Sequence, residues 1–235
     1  MSLFIVATPI GNRSDITLRA LQTLFSMDAV LCEDTRKTKQ LLDFYLKDIP
    51  SQILGENPKI PVLLSFFEHN EAAKIPQILG DLKQGAQIAL VSNAGTPIIS
   101  DPGYLLVKAC HETGIKVITI PGPSALTSAL SISGLATDKV QFLGFLPRKH
   151  GKQTKIWQDI FASKIDQTVV FYESPFRLKK TLANINEIFG DIEISVAREL
   201  TKVHEVVKQG KISDWLQDKK TLKGELVVLF RTHQK

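Results

Sequence analysis

The strongest constraint on this chain is an alternation of short β-rich runs with amphipathic helical stretches through its first 120 residues. The runs are Leu3–Ala7, Ala29–Cys32, Val62–Ser65, Ile88–Val91 and Val117–Ile120. Between them, Ile16, Leu21, Leu24 and Phe25 fall on one helical face behind Asp15, a candidate N-cap. Ile75, Ile78, Leu79 and Leu82 follow the helical i, i+3, i+4, i+7 spacing. Asp101-Pro102 reads as an N-cap with proline at the first helical position, and Gly114 as the stop. Strands alternating with helices predict an α/β unit with a largely parallel sheet.

The second half reads differently. Strands are expected at Phe142–Leu146, Thr168–Tyr172, Ile192–Ala197, Val203–Val207 and Leu226–Phe230. Ser174-Pro175 opens a helix with Leu178, Leu182, Ile185, Ile188 and Phe189 on one face. More strands per helix predict a mixed or antiparallel sheet. The stretch from Pro147 to Lys152 is basic and loop-like, a linker or flap candidate. Two lobes are therefore expected, 1–118 and 119–235. Trp157 and Phe161, four apart, read as core, although Tyr104, Trp157, Phe161 and Trp215 are also candidates for stacking on bases.

Composition narrows the class. With 43% apolar and 23% charged residues, this is an ordinary globular chain. No apolar run approaches the roughly 18 residues of a membrane span, and the first residues read directly into a strand, unlike a secretory signal. Cys32 and Cys110 offer one possible pair and no disulfide framework, so a reducing cytoplasm is the expected setting. The net charge of +5 is uneven. Residues 1–117 carry 11 basic and 12 acidic side chains, and the remainder carries 18 and 12. The second half is the better candidate to face a polyanion, the plain alternative being charge for solubility.

Several familiar chemistries have no motif here. There is no Gly-x-Gly-x-x-Gly behind the first strand, no phosphate loop of the Walker type and no Gly-x-Ser-x-Gly elbow. The five histidines are scattered, with no His-Glu-x-x-His or Cys-x-x-Cys, so no metal site is expected. What the chain does have is three Gly/Pro-rich loops, each just after an expected strand: Thr8–Asn12, Ser92–Gly103 and Pro121–Ala125. In open α/β sheets ligands bind outside the carboxyl ends of the strands. Three such loops of small and polar residues together favour a ligand cleft over three unrelated turns.

These loops, with Asp15-Ile16-Thr17, Glu33-Asp34-Thr35-Arg36, Ser65–Glu71, Phe142–Arg148, Phe171–Arg177, Ala197–Lys202 and Lys223–Leu226, resemble in order the motifs of the tetrapyrrole (corrin/porphyrin) methylase family, in its ribosomal RNA branch. The resemblance runs from residue 3 to about residue 230. It implies two α/β lobes with S-adenosylmethionine in the cleft between them, commonly a homodimer, and methyl transfer to the ribose 2′-oxygen of a cytidine in the decoding region of 16S ribosomal RNA. It assigns cofactor binding to Pro9, Asn93, Ala94, Gly95, Thr96, Ser124, Ala125, Tyr172, Gly224 and Glu225. Ser124 is equally a candidate helix cap. Glu199 is the candidate proton acceptor and Lys202 the phosphate or hydroxyl contact, with structural ion pairs or dimer contacts as the alternative. Arg36, Arg148, Lys149, Lys152 and Arg177 are candidate RNA contacts, with Lys155 in the same basic run. The small ribosomal subunit is the expected partner, and no membrane is involved.

Two departures from the family pattern stand out. Asn93 replaces the usual aspartate, keeping a carbonyl acceptor and losing a charge. A small C-terminal helical domain common in the family is not present in these 235 residues. Small-molecule methylation and non-catalytic RNA binding remain as alternative functions.

Overall fold

The computed structural model describes residues 2–218 and 222–233. They form two compact units, one ending at Ser124 and the other beginning at Ala125.

Unit 1 contains strands β1 (Ser2–Val6), β2 (Ala29–Cys32), β3 (Val62–Ser65), β4 (Gln87–Leu90) and β5 (Lys116–Ile120). Its helices are α1 (Leu18–Ser26), α2 (Thr35–Asp48), α3 (Ser51–Leu54), α4 (Glu71–Lys83) and α5 (Tyr104–Glu112). The sheet is parallel throughout, in the order β3-β2-β4-β1-β5. The period of two along each strand splits its side chains between two cores. Val6, Val30 and Ala89 face Leu21 and Leu24 of α1 and Leu42 of α2. Leu3, Ile5, Leu31 and Ile88 face Ile78 of α4 and Leu106 of α5. The chain thus leaves β1 for one face and leaves the adjacent β4 for the other. That reversal opens a crevice at the carboxyl ends of β1 and β4.

Unit 2 contains α6 (Ala125–Ile132), β6 (Val140–Phe145), α7 (His150–Ser163), β7 (Thr168–Glu173), α8 (Pro175–Phe189), β8 (Glu193–Arg198), β9 (Val206–Lys211), α9 (Ile212–Gln217) and β10 (Leu226–Arg231). The sheet order is β6-β7-β10-β8-β9. β6 and β7 are parallel and the other pairings antiparallel, so the sheet is mixed, as expected. Trp157 and Ile160 of α7, Leu178, Leu182 and Ile185 of α8 and Trp215 of α9 pack onto Phe171, Val196, Val228 and Phe230. Trp157 is core, whereas Phe161 is exposed and rests edge-on against Phe189.

Several sequence expectations need correction. The division falls beyond β5 rather than at 118/119, because β5 is paired with β1 along its whole length. Helix α1 is capped by Thr17, whose hydroxyl accepts from Ala20 N, and Asp15 lies in the preceding 3-10 turn. Helix α5 starts after Gly103, not at Asp101-Pro102. The basic stretch is only partly a loop: His150, Gly151 and Lys152 begin α7, which buries Gln153 and Trp157. The strand expected at Val203–Val207 begins at Val206, because Glu199 and Thr201 adopt left-handed backbone conformations that turn the chain first. Val203 is left 97% exposed.

Candidate functional site

In unit 1 the three Gly/Pro loops meet. Thr8 and Gly95 form an antiparallel bridge, with Thr8 N donating to Gly95 O at 2.9 Å and Gly95 N to Thr8 O at 3.0 Å. This ties the exit of β1 to the exit of β4. Ala7 N donates to Ile120 O at 3.2 Å, and Thr96 Oγ1 donates to Pro123 O at 3.1 Å, adding the loop after β5. Thr8 Oγ1 donates to Ser92 O, and Ser92 Oγ to Ala94 O and Gly95 O. Gly95 has φ +82°, and a Cβ there would come 3.2 Å from Ile10 Cγ2. Both the left-handed backbone and the close approach call for glycine.

The loop after β4 also holds Ile98 and Ser100 at φ +76° and +71°. A β-branched residue in that region is strained by roughly 1–3 kcal/mol, and such strain persists where surrounding structure dictates the path. Nothing in the residue types at 98 and 100 announces it. Asn93 and Ala94 are exposed, Pro9 and Gly95 are buried, and Thr96 is half-buried.

One carboxylate lies by Ser92 and another meets Asn93. The Asn93 backbone N–H donates to Glu33 Oε1 at 3.1 Å. Burial, reinforced by the charge of Glu33, pushes Asp101 up to about 6 against an opposing hydrogen bond from Ser92. Glu33 therefore supplies, beside residue 93, negative charge that Asn93 itself lacks. Asp101 read as a helix cap in the sequence, and nothing there separates a cap from a site carboxylate.

The Glu33–Arg36 block divides by role. Asp34 caps α2, its carboxylate accepting from Arg36 N and Lys37 N. The Arg36 guanidinium folds back onto Asp34 at 3.2 Å, holding that carboxyl below its usual range, while Arg36 itself stays 87% exposed.

In unit 2 the candidate residues form two groups. Tyr172 on β7 packs its ring against Phe142 and Phe145, with centroids 5.0 and 5.3 Å away. The second group lies where β8 ends and β10 begins. Glu199 N donates to Glu225 O, and Glu225 N donates back to Glu199 Oε1, both at 3.1 Å. Lys202 Nζ donates to Glu199 Oε1 at 3.0 Å and to Glu225 Oε2 at 2.9 Å. The Glu199 carboxylate folds over Gly224, whose φ is +93° and where any Cβ would collide with it. Lys202 holds Glu199 below the ordinary glutamate range. Burial alone would lower Lys202, but the carboxylates of Glu225 and Glu199 outweigh it and raise it. Both donors land on Oε1, leaving Oε2 without a partner among the described residues.

The candidate RNA contacts also differ in kind. Arg148, Lys149, Lys152 and Lys155 are exposed, and none pairs with a carboxylate among the described residues. Arg177 is engaged differently. Its Nε faces the buried Glu173 at 3.3 Å, and its Nη2 donates to Leu146 O at 2.9 Å and Pro147 O at 3.1 Å. Ser124 ends unit 1, and Ala125 is the first residue of α6.

Among the described residues no group of three or more His, Cys, Asp or Glu side chains could hold a metal ion, and no helix is long and apolar enough to cross a membrane.

The chain is similar to proteins named ribosomal RNA small subunit methyltransferase I. The relative from Thermotoga maritima is 46% identical over 97% of this chain and 96% of its own. That from Hydrogenobaculum sp. is 41% identical over 97% and 95%, and that from Escherichia coli O157:H7 is 40% identical over 99% and 78%. The relatives thus include chains of about this length and longer ones. The sequence model for Tetrapyrrole (Corrin/Porphyrin) Methylases matches residues 2–215, a span that holds the bridged loops of unit 1 and the Glu199–Lys202 turn of unit 2. On that match and on these relatives, the chain belongs to the tetrapyrrole (corrin/porphyrin) methylase family.

Proposed function

We propose that the protein transfers a methyl group from S-adenosylmethionine to the ribose 2′-oxygen of a cytidine in the decoding region of 16S ribosomal RNA. It would act on the small ribosomal subunit in the cytoplasm, as a homodimer. The observation that carries the reading is the Thr8–Gly95 bridge, which with the Thr96–Pro123 hydrogen bond gathers three strand-end loops of small residues in a methylase fold. The names of the relatives support ribosomal RNA as the substrate.

The donor set suits this cofactor. Asn93 and Ala94 are exposed, the Asn93 carboxamide offers a donor and an acceptor to a polar nucleoside, and Glu33 places negative charge beside it. In unit 1 the proposed contacts are Pro9, Asn93, Ala94, Gly95, Thr96 and Ser124. In unit 2 they are Ala125, Tyr172, Gly224 and Glu225. When bound, the cofactor supplies an activated methyl on a sulfonium, so positioning of the nucleophile accounts for much of the rate.

The chain's own residues then have defined tasks. Glu199, kept ionised by Lys202, accepts the hydroxyl hydrogen bond on Oε2 and takes the proton as the oxygen is methylated. Lys202 contributes positive charge for a hydroxyl or phosphate oxygen. Arg36, Arg148, Lys149 and Lys152 contact RNA phosphates.

The test is methyl transfer from labelled S-adenosylmethionine to unmodified 30S subunits, naked 16S RNA and a tetrapyrrole precursor in parallel. A 2′-O-methyl group blocks alkaline cleavage at the next phosphate. Label in one alkali-stable dinucleotide beginning with cytidine is the expected result. Label only in the tetrapyrrole would refute the RNA substrate.

A further inference from the structure

Two large aromatic rings lie on the surface of unit 2 without a role so far: Phe176 is 88% exposed and Phe145 is 64% exposed. Single exposed hydrophobics are common, so their placement has to carry the argument. Phe145 is put where it is by a β-bulge. Phe142 pairs with Val170 and Phe145 with Tyr172, so one extra residue is inserted in β6, and Gly144 takes φ +61° there. Strict alternation would send residues 142 and 145 to opposite faces. The bulge re-aims Phe145 to the face of Phe142, and both rings meet Tyr172.

From Phe145 the chain runs through Leu146-Pro147 into exposed Arg148 and Lys149 and the first turn of α7 with Lys152. Phe176 lies in the first turn of α8. The next residue, Arg177, donates to Leu146 O and Pro147 O, so the two turns share one corner. That corner is locked. Gln153 Nε2 also donates to Pro147 O, at 2.7 Å. The Glu173 carboxylate, fully buried, accepts from Ser174 N at 2.8 Å and Thr181 Oγ1 at 2.6 Å and pairs with Arg177. A buried ion pair adds little net stability, but it does fix geometry. Here it fixes a surface turn that carries exposed rings and cations with no carboxylate partner among the described residues.

We propose that this corner is a docking surface for an unpaired segment of RNA. Phe145 and Phe176 stack on bases, and Arg148, Lys149 and Lys152 hold the flanking phosphates. Arg177 positions the surface and does not touch the RNA. Aromatic rings beside a basic strip match single strands, whose bases are free to stack. An A-form duplex presents its bases edge-on and leaves such rings unused. The proposal rests on the RNA reading above and adds the form of RNA and the residues that recognise it.

The test measures binding of the full chain to an unstructured RNA 12-mer and to a duplex of the same sequence over a range of salt, with molecular mass and melting temperature recorded. Phe176→Ala and Phe145→Ala should each weaken single-strand binding about 5- to 100-fold with the salt slope unchanged. Phe176→Trp should restore it. Removing the charges at 148, 149 and 152 together should lower the slope by about 2. Arg177→Met should weaken binding by loosening the corner, and it should leave the salt slope unchanged in the background that lacks the three cations.

The surface is refuted if the phenylalanine variants bind the single strand like the parent, or lose duplex binding equally. It is also refuted if Phe176→Ala changes the mass of the assembly and not RNA affinity, which would assign the ring to a second copy of the chain. A fall in slope from Arg177→Met in the charge-free background would make Arg177 a phosphate contact and overturn its positioning role. Absence of any RNA binding by the parent chain would overturn the RNA reading itself, a result distinct from silent phenylalanine variants.

Discussion

Gly224→Ala tests the turn that holds Glu199. Gly224 sits at φ +93°, where an L-residue costs about 1–2 kcal/mol. Its new Cβ would lie 2.7 Å from Glu199 Cγ and closer still to the carboxyl group, so the glutamate must swing away. That motion breaks the bonds from Lys202 Nζ and Glu225 N to Oε1. The two charged side chains are 21% and 31% exposed, so solvent screening reduces the loss to about 1 kcal/mol. The total is about 2–3 kcal/mol, or roughly 4–12 °C in melting temperature for a chain of this size. Trp157 and Trp215, the only tryptophans, both lie buried in unit 2, so tryptophan fluorescence in urea reports that unit alone. The decisive comparison uses Glu199→Ala as background. There the collision is gone, and Gly224→Ala should cost only the backbone part, leaving a coupling of about 1 kcal/mol. Equal costs in both backgrounds would show that the collision argument is wrong.

Other predictions concern charge and strain. Asp101, raised to about 6 in the folded chain from 3.8, binds its proton more tightly folded than unfolded. Its contribution is therefore complete below the unfolded value and lost as pH rises through about 6. Asp101→Asn should stabilise at pH 7.5 by about 1 kcal/mol, after allowance for partial exposure, and give no gain at pH 4, by urea midpoints. Glu199→Gln should lower turnover about 100-fold while cofactor affinity by calorimetry changes less than about threefold. In the parent enzyme Glu199 stays charged from pH 6 to 9, so a loss of activity in that window must come from another group. Ser100→Gly, at an exposed residue with φ +71°, should raise stability by about 1 kcal/mol, and a fall in melting temperature would argue against strain there.

Much was legible in the chain itself. The alternation of strands with helices in the first half, and the excess of strands over helices in the second, separated a parallel sheet from a mixed one, because parallel neighbours need a crossover and antiparallel ones do not. Leu178, Leu182 and Ile185 pack as their spacing required, behind the Ser174-Pro175 helix start. Glycine and proline marked the three strand-end loops, since glycine tolerates a left-handed backbone and a close approach and proline fixes a turn. Local signals failed where competing partners were close in sequence. Thr17 and not Asp15 caps α1, and a run of basic residues concealed the start of α7.

What tertiary structure alone decided is the company each polar group keeps. Arg148 and Arg177 look alike as cations in the sequence. In the fold one stands in solvent, and the other is held by a buried glutamate and two carbonyls. Glu199 reads in the sequence as a proton acceptor or a member of an ion pair, and the fold pairs it with Lys202 and lays it over Gly224, 25 positions away. The bridge between Thr8 and Gly95 joins residues 87 positions apart. The physical reason is range: periodicity and turn chemistry act over a few residues and are written along the chain. Ion pairing, collision and strain act between atoms a few ångströms apart that only the completed fold brings together.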